Sequence, residues 1–224
     1  MSSENLLIAG SIRFALSIVV VVALLFGSAG SFQYWNAWLF LAALFAPMSY
    51  TFVHLYRTNR SLLEKRLNMQ EREKEQKTYV KLSLLWFVIT FALPGLDFRF
   101  GWSDVPVWLV VVSVIVMVVA YILVVVAMLQ NAFASRVIEI QEGQRLIDRG
   151  LYSIVRHPLY AAAALMYVSC PLVLGSYYAL VPTLLLFPLL AYRIRNEEKV
   201  LLAGLPGYPG YTERVKWRLV PFVW

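Results

Sequence analysis

Six stretches of this chain are too apolar to be the surface-facing helices of a water-soluble domain, and together they fill most of its length. Residues 14–29, 34–56, 80–96, 105–133, 158–174 and 177–192 contain one charged side chain among them, Lys81. A helix needs about 20 predominantly apolar residues to cross the hydrocarbon core of a bilayer, and all six runs come close to that length. The last two are short and joined through Gly175 and Ser176, which predicts a tight helical hairpin. With 60% hydrophobic residues and a mean hydropathy of +0.67, the chain is expected to be an all-α, polytopic integral membrane bundle of about six transmembrane helices. Its 224 residues suit a single membrane domain, with four N-terminal spans in 1–133 and the last two spans and a polar tail in 134–224.

The basic residues orient that bundle. Eight of the twenty Lys and Arg fall between Arg57 and Lys81, so by the positive-inside rule this loop faces the cytoplasm. Alternation then puts the segment from Arg136 to Arg156 and everything from Arg193 onward on the same side, with both termini. The turn at 30–32 is uncharged and the 97–104 loop carries only Arg99 among basic residues, as expected outside. The formal net charge of +7 therefore reads as topology and contact with anionic lipid, not as nucleic-acid binding. At the N-terminus, Arg13, an apolar run and the small residues of 27–31 also fit a cleavable signal segment, whose removal would leave the remaining topology unchanged.

Several features need no ligand to explain them. Glu64, Glu71, Glu73 and Glu75 interleave with Lys65, Arg66, Arg72, Lys74 and Lys77, the pattern of a solvated cytoplasmic helix, and Glu73 and Lys77 stand in the favourable i, i+4 order. Phe32, Tyr34, Trp35, Trp38, Trp102 and Trp108 cluster near span ends, as interfacial aromatics do. The single cysteine, Cys170, excludes an intramolecular disulfide and a Cys-rich metal site, and reads as a small buried hydrophobe. No metal site is expected.

Chemistry is expected between the fourth and fifth spans. Residues 135–144 alternate in an extended, strand-like manner, and Gly143 and Gly150 supply turn points where backbone can approach a ligand closely. Next comes Gly150-Leu-Tyr-Ser-Ile-Val-Arg-His-Pro-Leu-Tyr160, with Pro158 at a first-turn position where its missing N–H costs nothing. The unpaired backbone N–H groups of such a first turn, together with His157, would clamp an anionic or polar group. A second polar cluster, Arg193-Ile-Arg-Asn-Glu-Glu198, extends the sixth span. Arg193 and Glu197 share a helix face at i, i+4, and an out-and-back hairpin returns that face to the level of His157. Ionisable residues gathered at the mouth of a hydrocarbon-spanning bundle are costly there, which makes the cluster a site hypothesis.

The segment 150–160, the Glu197-Glu198 pair, Leu205-Pro-Gly-Tyr-Pro-Gly-Tyr211 and the closing Val220-Pro221 resemble the isoprenylcysteine carboxyl methyltransferase family and its bacterial relatives, within a broader group that includes phospholipid N-methyltransferases. The resemblance covers about the last 90 residues, from Asn131 onward. It implies transfer of a methyl group from S-adenosylmethionine to a lipophilic acceptor at a cytoplasm-facing pocket. Carried over, it implies that Gln144, Arg145, Leu146, Ile147 and Tyr152 line the cofactor and that His157, Pro158, Leu159 and Tyr160 complete the wall. Glu197 or Glu198 would hold the cofactor's polar groups, and Arg193 would face the acceptor. Ala162 stands where the family often has Gly.

An in-line displacement of this kind mainly requires donor and acceptor to be held at near-attack distance. A carboxylate acceptor is ionised at neutral pH and needs only orientation, which Arg193 can give through forked hydrogen bonds. A thiol or amine acceptor would need a base, for which His157 or a carboxylate is the candidate. An alternative resemblance is to NADPH-dependent sterol and steroid reductases, which have a similar Arg-x-Pro-Asn-Tyr motif, but here Leu159 stands in the Asn position and Ala161 to Ala164 lack the acidic residue that follows. A transporter or other non-enzymatic membrane protein is the third reading. The polar residues gather at one membrane face and not near mid-span, which favours an interfacial enzyme.

Overall fold

The architecture comes from a computed structural model that describes residues 3–67, 76–131, 133 and 140–224. Among the described residues there are helices and no strand. The helices are α1 (Ser3–Ala29), α2 (Trp35–Thr58), α3 (Arg60–Leu67), α4 (Gln76–Phe100), α5 (Val107–Gln130), α6 (Pro158–Val173), α7 (Leu180–Gly204) and α8 (Tyr208–Arg214), with a 3₁₀ turn at Gly150–Ser153. Each of the six expected apolar runs overlaps one of these helices. Of the expected strand-like segment, residues 135–139 lie outside the described residues, and 140–144 form a turn in which the Gln144 N–H donates to the Gln141 carbonyl at 3.0 Å. Gly143 takes the left-handed conformation there, with φ of 70°.

This is an all-helical integral membrane protein. α1, α2 and α5 each offer 24 residues long and apolar enough to cross a bilayer. On α5, Val111, Ile115, Val119 and Ile122 lie along one helix face and are 48–58% exposed, a surface that hydrocarbon covers and water would not tolerate. α6 has 16 residues, and α7 carries its apolar half first and its charged half second in one continuous helix.

The chain forms two compact units. The first comprises Met1–Val118 and Tyr167–Leu184. Here α1 and α4 pack closely because Gly95 has no side chain: a Cβ on it would stand 2.6 Å from the Leu25 carbonyl oxygen. Leu25, Phe40, Met117 and Val173 are central to the core. Cys170, half-buried, packs on its edge as an ordinary hydrophobe. Asp97 is buried and accepts the Ser103 N–H and hydroxyl, each at 2.7 Å, and the Ser176 hydroxyl. Those bonds tie the loop after α4 to the turn between α6 and α7.

Two expectations change in this unit. Tyr34 is not an interfacial aromatic; it is 1% exposed and its hydroxyl donates to the Leu174 carbonyl, while Phe32, Trp35, Trp38, Trp102 and Trp108 are exposed as expected. The polar loop after α2 is not wholly a solvated helix, because α3 buries Leu62 and Leu63 against Leu6 and Leu55. The expected Glu73 and Lys77 pairing falls on residues 68–75 and their flank, outside the described side chains.

The second unit comprises Val119–Met166 and Leu185–Trp224. It holds the end of α5, the connecting segment, the start of α6, most of α7, α8 and the C-terminal strap. Ala164, Ile194 and Leu219 form one buried cluster and Leu205, Tyr208, Tyr211 and Val215 another. The polar motifs singled out in the sequence all lie in this unit.

Candidate functional site

The approach to the site is a chain of turns fixed by backbone bonds. Gly150 adopts φ of 63°, and a Cβ on it would stand 2.5 Å from the Gln130 side chain. That close approach lets Gln130 at the end of α5 accept the Leu151 N–H at 2.9 Å. Tyr152 is then buried, and its carbonyl accepts the Tyr211 hydroxyl at 2.7 Å, fastening the 3₁₀ turn to α8.

α6 starts at Pro158, as the sequence predicts. The donors just ahead of it are not open to a ligand. The N–H groups of Arg156 and His157 donate to the carbonyls of Trp217 and Arg218, each at 2.9 Å. The C-terminal strap thus occupies the two N–H groups that precede the first turn of α6.

Glu198 organises the cations around that junction. Its Oε1 lies 2.8 Å from Arg156 Nε and 3.4 Å from His157 Nε2, and its Oε2 accepts from Arg218 Nε at 2.7 Å. Glu198 is 5% exposed. Burial alone would raise its pKa, but hydrogen bonds from His157 and Arg218 and the charge of Arg156 outweigh that effect and hold it at about 2. It is thus a permanent anion clamping α7 to the start of α6 and to the strap.

Glu197, one residue earlier, has a different task. Its Oε2 accepts the Tyr160 hydroxyl at 2.8 Å, and that hydroxyl in turn accepts from Arg193 Nε at 2.9 Å. The i, i+4 pair on α7 is therefore linked through a tyrosine of α6.

One cavity collects these groups. Its walls include Gln144, Arg145, Leu146, Ile147, Tyr152, His157, Leu159, Tyr160 and Glu197, nine of the residues singled out from sequence. Pro158, Arg193 and Glu198 stand outside the wall: Pro158 begins the helix, Arg193 touches the site through Tyr160, and Glu198 braces it from behind. Arg156, Tyr208 and Tyr211 also line it, and sequence reasoning assigned them no role there. The signal for the two tyrosines was present in Leu205-Pro-Gly-Tyr-Pro-Gly-Tyr211, where Gly207 at φ of 82° turns the chain into α8 and buries both rings.

Residues 110–203 match the model of the Isoprenylcysteine carboxyl methyltransferase (ICMT) family. The resemblance carried by the motifs thus holds for this segment. It includes most of α5, all of α6 and nearly all of α7, and with them His157, Arg193, Glu197 and Glu198; the strap and α8 fall beyond it. No curated protein matches the chain significantly. The family is one of methyltransferases, and the segment similar to it carries His157, Tyr160 and Glu197 of the cavity wall.

The wall chemistry fits the cofactor that such an activity implies. Glu197 offers acceptors for ribose hydroxyls or an ammonium group, and Arg145 offers a cation for a carboxylate. Leu146, Leu201 and Leu205 offer apolar surface to a base. The Tyr208 hydroxyl is buried with no hydrogen-bond partner among the described residues, a donor that a polar ligand can satisfy.

Proposed function

We propose that this protein transfers a methyl group from S-adenosylmethionine to a lipophilic acceptor, with the cofactor pocket open to the cytoplasm and the acceptor arriving laterally from the bilayer. The observation that carries this reading is the linkage of Arg193, Tyr160 and Glu197 beside one cavity that also exposes His157, within the segment matched to a methyltransferase family. Six spans with both termini cytoplasmic accompany the reading, supported by the clustering of Lys and Arg at one face.

The bound cofactor supplies an electrophilic methyl. The chain supplies position. Gln144, Arg145, Leu146, Ile147, Tyr152, Pro158, Leu159 and Tyr160 form or support the cofactor's seat, Glu197 holds its polar groups, and Glu198 acts indirectly by fixing His157 and Arg156. Tyr160 sets the direction of the Arg193 guanidinium through its Nε, so the cation is oriented before an acceptor arrives. An acceptor carboxylate needs nothing more than such a cation. For a thiol or amine, His157 or the Glu197 carboxylate in the wall is the candidate to take a proton.

The test is transfer of radiolabel from S-[methyl-³H]adenosylmethionine by the detergent-solubilised protein to a panel of acceptors: a prenylated cysteine carboxylate, a phospholipid amine and a small lipophilic thiol. Arg193→Ala is expected to raise the acceptor KM while leaving cofactor affinity within about threefold. Unchanged acceptor kinetics in that variant would remove Arg193 from the mechanism, and absence of transfer to every lipophilic acceptor would count against the proposed activity.

A further inference from the structure

Tyr208 is 3% exposed, and its hydroxyl is fully buried without a hydrogen-bond partner among the described residues. Leaving such a group unsatisfied is costly, and native interiors seldom do so. Its neighbour makes the contrast. Tyr211, the other buried tyrosine of α8, spends its hydroxyl on the Tyr152 carbonyl. Both residues line the cavity, their ring centroids 5.5 Å apart, and of their two hydroxyls that of Tyr208 is the uncommitted one.

The surroundings specify what that donor would meet. Tyr208 belongs to the apolar cluster of Leu205, Tyr211 and Val215, against which Leu146 and Leu201 pack, and all of these except Val215 also line the cavity. This end is aromatic and aliphatic, with the charges of Glu198, Arg156 and Glu197 acting on the hydroxyl. Burial, with the charge of Glu198 adding to it, pushes the Tyr208 pKa upward, so the hydroxyl keeps its proton and acts as a donor throughout the working pH range. A planar heteroaromatic ring with acceptor nitrogens meets both requirements: its faces suit the leucines, and one edge nitrogen can take the hydroxyl proton in a hydrogen bond.

We infer that Tyr208 is a ligand-binding residue that donates a hydrogen bond to a ring nitrogen of the adenine base, seated between Leu146, Leu201 and Leu205. The inference rests on the methyltransferase reading, since that reading supplies the adenine, and it names a residue outside the family-matched segment.

The experiment is calorimetric titration of the full-length protein in detergent with S-adenosylhomocysteine and with 5′-methylthioadenosine, on wild type and Tyr208→Phe, alongside thermal unfolding of each ligand-free protein. Losing the hydroxyl is expected to weaken both ligands about tenfold, which corresponds to about 1.4 kcal/mol. The ligand-free midpoint is expected to stay equal or rise, because the variant removes an unsatisfied buried group. A role in holding the fold instead would lower the midpoint, and that would overturn the inference. Weakening of S-adenosylhomocysteine alone would move the contact to the amino-acid end and also overturn it, as would wild type that binds S-adenosylhomocysteine but not methylthioadenosine. Equal affinities in wild type and variant would refute the role of Tyr208 while leaving the methyltransferase reading intact; failure of wild type to bind either ligand would end both.

Discussion

Replacing Glu198 by Gln should unfold the second unit far more readily than replacing its neighbour Glu197. Glu198 is an anion among three cationic or protonatable side chains, two of which, Arg156 and His157, are 9% and 5% exposed. Removing its charge leaves the Arg156 guanidinium buried without its close carboxylate, a change that costs about 3–5 kcal/mol in comparable buried pairs. The pH dependence gives an independent magnitude. Glu198 titrates at about 2 in the folded protein against an ordinary 4.5, so it stabilises the fold at any pH above 4.5 and progressively less as pH falls from 4.5 toward 2. At about 1.4 kcal/mol per unit, that is roughly 3 kcal/mol at neutral pH. The assay is denaturant unfolding in micelles, followed by near-ultraviolet circular dichroism at a series of pH values from 7 down to about 2.5. Glu198→Gln should lose a few kcal/mol at pH 7 and converge toward wild type at the acid end. If the two proteins differ by under about 1 kcal/mol at pH 7, or if the difference does not shrink below pH 4.5, the clamp described for Glu198 is wrong.

Three further outcomes follow from the same geometry. Gly95→Ala should destabilise by about 1–3 kcal/mol, measured by the same unfolding assay, because its new Cβ meets the Leu25 carbonyl at 2.6 Å in a closely packed helix pair. Gly150→Ala should lower both stability and S-adenosylhomocysteine affinity, since the residue sits at φ of 63° against Gln130 and the turn it makes sets Tyr152 in the cavity wall. Tyr211→Phe should cost about 1 kcal/mol of stability by deleting its bond to the Tyr152 carbonyl, the opposite sign from that expected for Tyr208→Phe.

Much of the site was legible because the solvent requirement of each segment is written in its composition. Lipid demands uninterrupted apolar helices, so the hairpin of α6 and α7 could be inferred, and with it the return of Glu197 and Glu198 to the level of His157. Which of two adjacent acids faces the cavity was not legible. Neighbouring residues on a helix point about 100° apart, and the choice depends on where Arg218 lies. Arg218 belongs to a strap that no periodic pattern announces, held by backbone carbonyls that carry no sequence signal. The same strap occupies the N–H groups of Arg156 and His157 just ahead of α6, a pairing with no sequence signal. Tyr34 was misplaced, and the burial of Leu62 went unnoticed, for a related reason. An aromatic at a span end looks interfacial and a charged loop looks solvated by composition, and tertiary partners, the Leu174 carbonyl for Tyr34 and Leu6 and Leu55 for Leu62, draw these side chains inside.

The central claim is that the cavity bounded by Glu197, His157 and Tyr160 is a seat for S-adenosylmethionine. The most direct measurement is calorimetric titration of the purified, folded protein with S-adenosylhomocysteine and, in parallel, with NADPH, repeated on Glu197→Ala. Saturable binding of S-adenosylhomocysteine that is lost or weakened at least tenfold in the variant, with no heat from NADPH, is the predicted result. Binding of NADPH alone would replace the methyltransferase with a reductase, and a folded protein that binds neither would contradict the account.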